Sequence, residues 1–427
     1  MTTAETQTES PLTEAHTVFR RWLGNDYDTD ALDVLLATLA VEQLDGDPLW
    51  VLIISGPGNA KTETVQAADG AGAFVVSVIR SEAALLSATP RKERTKQATG
   101  GLLREIGDRG TLVIKDVTSI LSMHRDLRAS VLAAFREVYD GRWSRHVGTD
   151  GGQHMNWSGR IAVIGAVTTA WDTARDVIAT MGDRFVLLRM DSHTGRLPAG
   201  RQAITNTGAE TEMRRELANA VGWVIDTMNH KPTDLTEAET DALLDAADLV
   251  TRARTGVEYD YRGDVIEAHA PEMPTRFAKQ LAQVVRGGVA VGMDRAAAVR
   301  LSLRCARDSM PPLRLAIIDD LSAHPHSTPT EVRKRLSKPR ATVDRQLQAL
   351  HMLGVAVLDE HNEERFGKDQ TRWYYTLSED VSPSALTARP LPEMSPPISG
   401  TSGKGRYIAT DISGNGVGRG GRQAPPR

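Results

Sequence analysis

A single cysteine, Cys305, stands in a chain of 427 residues. One thiol excludes an internal disulfide and any zinc site built from several cysteines. Long apolar runs are missing too, and no stretch approaches the ~18 apolar residues of a membrane span. The opening segment, MTTAETQTES, is polar and acidic, unlike a signal peptide. A cytoplasmic protein with no membrane partner is the expectation. Charge of one sign is also scarce. A net charge of -4 does not advertise nucleic-acid binding, so any such surface must be local.

What is present is an ordinary globular composition, 40% hydrophobic and 25% charged. The length suits two or three domains at ~150 residues each. Residues 1–10 are expected to be disordered. Pro11 to Leu44 reads as helices, with Leu32, Val34, Leu35, Leu39 and Val41 as the apolar positions. Short apolar runs follow: WVLIIS (Trp50 to Ser55), AFVVSVI (Ala73 to Ile79), TLVIKD (Thr111 to Asp116), IAVIGAV (Ile161 to Val167) and RFVLLRM (Arg184 to Met190). They alternate with helix-like segments, which predicts buried parallel strands in an α/β core over 11–205. From about Thr211 to Met310 the pattern is helical throughout, giving a helical segment over 206–310. Residues 311–380 have their own signature. The stretch 381–427 is rich in Pro, Gly and Ser and is expected to be a disordered tail. Its scattered arginines are either solvated or weak nucleic-acid contacts.

The run WVLIISGPGNAKTETVQA passes from a strand into a glycine-containing turn and then Lys-Thr. That is the plan of a phosphate-binding loop, with Ser55 and Ala60 where the usual pattern has glycines. Backbone N–H groups at a helix start must face the phosphates, and Gly56 and Gly58 let them approach. Pro57, Asn59 and Ala60 complete the turn. Lys61 is placed to reach phosphate oxygens, and the Thr62 hydroxyl to bind Mg²⁺, so ATP and Mg²⁺ are the expected ligands. Downstream, GTLVIKDVTSIL ends an apolar strand in Asp116, the plan of a second motif that holds Mg²⁺ through its waters. The residue after that aspartate is expected beside the γ-phosphate, where a glutamate would orient water. Here it is Val117. Hydrolysis is then slow, or another carboxylate acts, with Glu63 and Asp126 as the candidates.

With these residues in place, the chain resembles a family. GPGNAKTE is similar to the phosphate loop of the minichromosome maintenance (MCM) replicative helicases, an AAA+ group that also carries alanine before its lysine. The resemblance continues in order. DVTSILSMHRDLRASVLAAFREVYDGRWSRHVGTDGG resembles the Walker B end, the following helix and a hairpin that projects into the ring channel. GRIAVIGAVTTAWD is similar to the sensor-1 strand, with Thr168 in place of asparagine. MGDRFVLLRM implies Arg184 as arginine finger, with pairing to Asp183 as the alternative. MPTRFAKQLAQVVRGGVAV implies Arg276 as sensor 2 in a helical lid, or else a solvated arginine. On the hairpin, Arg142, Arg145 and His146 are basic positions that would track a nucleic-acid backbone, unless the hairpin is simply exposed. The likeness spans roughly Asp26 to Val291 and a C-terminal winged helix. Nothing matches the family's N-terminal DNA-binding domain, so the implied relative is a trimmed one, such as a mobile-element replication ATPase. The implied fold is an AAA+ P-loop NTPase core with a helical lid, assembling as a homo-oligomeric ring, a hexamer.

The segment from Leu313 to Asp380 reads as a winged helix-turn-helix. Leu313, Ile317, Ile318 and Leu321 repeat at helical spacing, and TPTE is a capping box with Thr328 as N-cap and Glu331 reaching back. Val332 and Leu336 face inward on the second helix, and Val343, Leu347 and Leu350 on the third. In such folds the start of the third helix meets DNA. Those residues are Lys338, Arg340, Thr342 and Arg345, preceded by Arg333, Lys334 and Arg335. Arg365, Lys368 and Arg372 lie on or beside the wing. Two readings follow for the whole chain: an ATP-driven motor or switch on DNA, or a nucleotide-gated DNA-binding regulator with little ATPase activity.

Overall fold

The computed structural model describes residues 9–87, 100–148, 153–174, 184–365 and 368–387, with the side chains of 153 and 363–370 left aside. Two helices open the chain, α1 (Pro11–Leu23) and α2 (Thr29–Gln43). Ser10 caps α1, its hydroxyl accepting the Thr13 N–H, and Pro11 sits at the first helical position. The strands β1 (Trp50–Ile54), β2 (Phe74–Val76), β3 (Arg109–Ile114), β6 (Arg160–Val167) and β7 (Val186–Arg189) form one sheet in the order β2-β3-β6-β1-β7. Every pairing in it is parallel, as the apolar runs predict. Between β1 and β3 come α3 (Lys61–Gln66), a 3-10 turn (Ala67–Ala71), α4 (Glu82–Leu85) and α5 (Leu102–Ile106).

Alternation divides the strand residues between two cores. Val51, Ile53, Val113, Ile164 and Leu188 enter one, with α2 and α3. Trp50, Leu52, Ile54, Leu112, Ile114, Val163 and Leu187 enter the other. Burial on both faces is why these strands read as continuous apolar runs rather than alternating ones. The second core is closed by α6 (Thr118–Leu121), α7 (Arg125–Tyr139), the antiparallel hairpin β4 (Arg142–Val147) with β5 (Gln153–Ser158), and α8 (Ala170–Thr173).

After β7 come α9 (Arg196–Thr205), α10 (Glu210–Asp226) and α11 (Glu237–Arg254), the last opened by a complete capping box of Thr236 and Glu239. The chain is not helical throughout here, contrary to expectation. A small antiparallel hairpin, β8 (Val257–Tyr259) and β9 (Val265–Ala268), interrupts the helices before α12 (Thr275–Ala290) and α13 (Arg295–Asp308). Glycines let helix backbones touch. A Cβ on Gly70 would lie 1.8 Å from the Ala218 carbonyl oxygen of α10, and one on Gly222 would lie 2.5 Å from that of Gly70. On α12, Gly287 meets the Ala37 carbonyl of α2 in the same way, at 2.2 Å.

The last described elements are α14 (Pro312–Ala323), α15 (Pro329–Leu336), α16 (Arg340–Met352) and the antiparallel pair β10 (Ala356–Arg365) and β11 (Lys368–Leu377). Thr328 and Glu331 cap α15 reciprocally, as the TPTE signature predicts. Val332, Val343, Leu347 and Leu350 are buried, while Leu313 and Leu336 are half-buried. The tail expected from residue 381 first makes a 3-10 turn (Pro383–Leu386) with Leu386 buried. The rest of that expectation, and residues 1–8, lie outside the described residues. Among the described residues, no helix is long and apolar enough to cross a membrane.

Candidate nucleotide site and nucleic-acid interface

The phosphate-loop sequence leaves the C-terminal end of β1 and turns into α3. Ala60 sits at the start of α3 with φ 51 and ψ 1, the left-handed conformation that favours glycine. Alanine therefore occupies a strained position that the more usual glycine would fill freely. Gly58 is also left-handed, with φ 76, and a Cβ there would meet nothing within 4 Å, so the loop is open on that side. Pro57, Gly58 and Thr62 are exposed, and Gly56 is half-buried. Lys61 is 9% exposed, and its Nζ donates to the Gly56 carbonyl at 2.9 Å. Burial holds the Lys61 ammonium below its ordinary value, and the nearby Asp116 charge opposes that shift.

Asp116 comes from the end of β3, and β6 separates its strand from β1. Its carboxylate accepts the Thr118 N–H at 3.0 Å and is otherwise exposed. Thr168, at the end of β6, meets this turn: its N–H donates to Thr118 Oγ1 at 3.2 Å, and the two hydroxyls lie 3.4 Å apart. Lys61, Asp116 and Thr168 thus belong to strands ending on one edge of the sheet, where open α/β sheets bind ligands. Among the described residues, no group of three or more His, Cys, Asp or Glu side chains could hold a metal. The two oxygen donors expected for Mg²⁺, Thr62 and Asp116, are both exposed, and Mg²⁺ needs only one or two protein oxygens beside its waters.

Val117 overturns an expectation. It is 6% exposed and packs in the second core. Its Cγ2 would lie 2.6 Å from a Cβ on Gly165, and its N–H donates to the Ala166 carbonyl at 2.9 Å. The chain has already left the strand there, with helical angles (φ -72, ψ -21) that turn the side chain inward. The position after Asp116 therefore faces the interior and not the loop. Of the substitute carboxylates, Glu63 is held by Arg214 Nε and Nη2, each contact at 3.0 Å, on the side of α3 facing α10. Asp126 is 89% exposed at the start of α7, with His124 at 3.8 Å.

A contact invisible in the sequence supports the loop. Ser192 Oγ accepts the Gly56 N–H at 3.1 Å, and Asn59 Nδ2 donates to the Asp191 carbonyl at 2.9 Å. Beside it runs a charge network. Arg189 reaches Asp172 through both terminal nitrogens, at 2.9 and 2.7 Å, and its N–H donates to Asp308 at 2.8 Å. Burial pushes the Asp308 carboxyl up to about 6, against the pull of that N–H and of Arg304.

Arg184 and Arg276 lie at the other end of the sheet. Arg184 precedes β7 and its neighbour Phe185 packs on Trp50, the first residue of β1, with ring centroids 5.2 Å apart. Its guanidinium pairs with Asp140 at 3.3 Å and lies over Tyr139; Asp183, the alternative partner, is outside the described residues. Burial lowers its basicity, with Asp140 opposing and Arg276 reinforcing the shift. Arg276 pairs with Glu272 at 3.2 Å.

On the β4–β5 hairpin the basic positions separate. Arg142 and His146 are exposed, but Arg145 turns inward, pairing with Glu82 at 2.5 Å and donating to the Leu86 carbonyl at 3.1 Å. It anchors the hairpin instead of presenting charge. His154, not singled out from the sequence, stacks on His146 across the strands at 4.2 Å. In the C-terminal module Lys338, Arg340 and Thr342 are exposed at the start of α16, with Arg340 3.3 Å from Asp344. Lys334 is exposed. Arg335 is committed to Asp320 through two bonds of 2.7 Å. Arg345 donates to the Arg262 carbonyl at 2.8 Å, so the β8–β9 hairpin covers it. Arg372 is half-buried opposite His361, while the side chains of Arg365 and Lys368 lie outside the described residues.

No protein-family model and no curated protein matches the sequence. Among solved structures, the chain is similar to a full-length MCM homologue from Methanopyrus kandleri, with 13% identity and a TM-score of 0.37. That match covers 72% of this chain and spans 63% of the homologue. It is also similar to the apo A form of the NrS-1 C-terminal region, with 9% identity and a TM-score of 0.25, covering 87% of this chain and 76% of that one.

Proposed function

We propose that the chain is an ATP-binding AAA+ protein that acts on DNA, an MCM-like helicase or replication ATPase of a mobile element. The observation that carries this reading is the meeting of Lys61 and Asp116 at one sheet edge, below an open loop. Gly56 to Glu63 would cradle the phosphates, with Lys61 exchanging the Gly56 carbonyl for β- and γ-oxygens. Thr62 and Asp116 would hold Mg²⁺ through its waters. Bound Mg²⁺-ATP supplies the transferable phosphoryl group and neutralises its charge. Thr168 would read the γ-phosphate through the Thr118 turn. Arg184 and Arg276 sit at the end of the sheet remote from the loop, so a finger or sensor role for them requires a neighbouring subunit and hence a ring, hexameric in this reading. Exposed Lys338, Arg340 and Thr342 support DNA contact through the C-terminal module acting as a winged helix, and Arg142 and His146 through the hairpin. Lys61→Ala should abolish ATP binding in calorimetry while the circular dichroism spectrum is unchanged. Undiminished affinity would end the phosphate-loop assignment.

The second reading is a nucleotide-gated DNA-binding regulator with little turnover. A specific observation favours it: Val117 is turned inward and Glu63 is occupied by Arg214, so neither offers a free carboxylate to the loop. General-base catalysis contributes ~10²–10⁴-fold, so its lack leaves long-lived ATP complexes. Single-turnover ATPase and strand-displacement assays separate the two.

A further inference from the structure

The third helix of the C-terminal module is covered along one flank by a segment of its own chain. Arg345 Nη2 donates to the Arg262 carbonyl in the turn of the β8–β9 hairpin at 2.8 Å. The approach is possible because residue 263 is glycine. Its φ is +85, and a Cβ there would lie 2.2 Å from Arg345 Nη2. One turn-neighbour along, Gln346 Nε2 lies 3.4 Å from the Tyr259 hydroxyl. Gln346 is itself fixed by buried Arg314, whose Nε donates to Gln346 Oε1 at 2.9 Å. Arg314 also donates to the Ala253 and Thr255 carbonyls, at 2.8 and 2.6 Å, in the segment that leads into the hairpin. The hairpin is therefore docked through named contacts at both its entry and its turn.

Its charge is opposite to that of the helix it covers. Residues 257–268 carry Glu258, Asp260, Asp264 and Glu267 against a single arginine, Arg262. Such a strip repels an approaching phosphate backbone. The hold on Arg345, by contrast, is a single bond to a neutral carbonyl. A phosphate offers the same guanidinium an anionic acceptor and often a bidentate pair of bonds in place of one. The contact is thus of a kind that nucleic acid can displace.

We infer that the β8–β9 hairpin is a built-in occupant of the third helix, competing with DNA phosphates for Arg345. In the free chain DNA is offered Lys338 and the start of the helix, Arg340 to Thr342, while the Arg345 flank is engaged only after the hairpin lifts. This rests on the reading of the module as a DNA-binding unit.

The test uses the full chain, fluorescence anisotropy on a labelled duplex, and a salt series. Gly263→Ala places a Cβ where the guanidinium now sits, at a φ of +85 that strains alanine, so it loosens the turn and releases Arg345 together. Affinity should rise by roughly tenfold or less, and the slope of log K against log salt should steepen by about 0.9, one added phosphate contact. In an Arg345→Ala background Gly263→Ala should change nothing. Hydrogen exchange gives a second measurement: amides of 257–268 should exchange faster in Arg345→Ala without DNA, and in the wild-type chain when duplex is added. If Gly263→Ala leaves affinity and slope unchanged or lowers them while Lys338→Ala weakens binding, the hairpin does not compete and only this inference falls. Hairpin amides that exchange no faster in Arg345→Ala would overturn it as well. If neither the wild-type chain nor Gly263→Ala binds duplex, the DNA-binding reading falls with it.

Discussion

At one end of the sheet, Lys61 and Asp116 stand beside an open loop that the Ser192 turn supports. At the other end, Arg184 is stored against Asp140 and Tyr139. The strand between them, β1, is about 16 Å long at 3.3 Å per residue. In the proposed function the first end receives a ligand within the chain, and the second carries a cation remote from that loop. Reading the motifs one at a time hides this polarity, because in sequence each is only a short stretch beside a strand.

The sharpest way to break the comparison is to separate the ends in different chains. Arg184→Ala should retain ATP affinity yet lose turnover by ~10³-fold or more, the scale of arginine-finger effects. Mixing it with Lys61→Ala protein should restore part of the ATPase rate, since hybrid rings pair an intact loop with an intact arginine. Lost ATP affinity in Arg184→Ala, or no recovery on mixing, would show that the two ends do not cooperate across subunits.

Next in size is Val117→Glu. If residue 117 faced the loop, glutamate would raise turnover. Its burial instead predicts destabilisation by about 3–5 kcal/mol from an unpaired buried charge, read as a fall in the denaturant midpoint. A stable, faster enzyme would mean that the turn after Asp116 reorients.

Asp308 sharpens the description of the edge beside the loop. Its folded value of about 6 lies above the ordinary 3.8, so the folded chain holds this proton to higher pH than the unfolded one. Its contribution to stability is therefore full below about pH 4 and is lost as pH rises through about 6, by up to about 3 kcal/mol. Asp308→Asn should flatten that part of the stability profile in thermal melts from pH 4 to pH 8. An unchanged profile would remove Asp308 as its source.

The smallest effect is expected at Ala60. Its left-handed backbone costs about 1 kcal/mol, partly offset by the extra freedom glycine has when unfolded. Ala60→Gly should raise the melting temperature slightly and leave ATP affinity intact. A lower melting temperature would mean that alanine is packed where glycine leaves a gap.

The sheet was legible because its strands are buried on both faces and so write unbroken apolar runs. The caps of α15 and the inward face of α16 were legible for a similar reason, since their signals are local. Arg145 could have been read correctly: in RWSRHV it alternates with the exposed Arg142 and His146 and shares a side with buried Trp143. Three features were out of reach. The β8–β9 strands, VEY and VIEA, are short and mostly exposed, and write no period. The inward turn of Val117 depends on where the chain leaves β3, which the apolar run does not mark. Ser192 supports Gly56 across 136 positions of sequence, and no local pattern announces such a contact.

Gly70 and Gly222 bring the turn after α3 against α10 with no side chain between them. Side chains normally act as shock absorbers: a small shift of one helix is taken up by rotamer changes before it reaches the next. Here that compliance is absent. A displacement of the loop before α3, carried along that helix, reaches the α10 backbone directly, as one gear tooth moves another. The same holds where Gly287 meets Ala37. Even one methyl group at these crossings would hold the backbones apart and introduce slack between the loop and the helices that frame it.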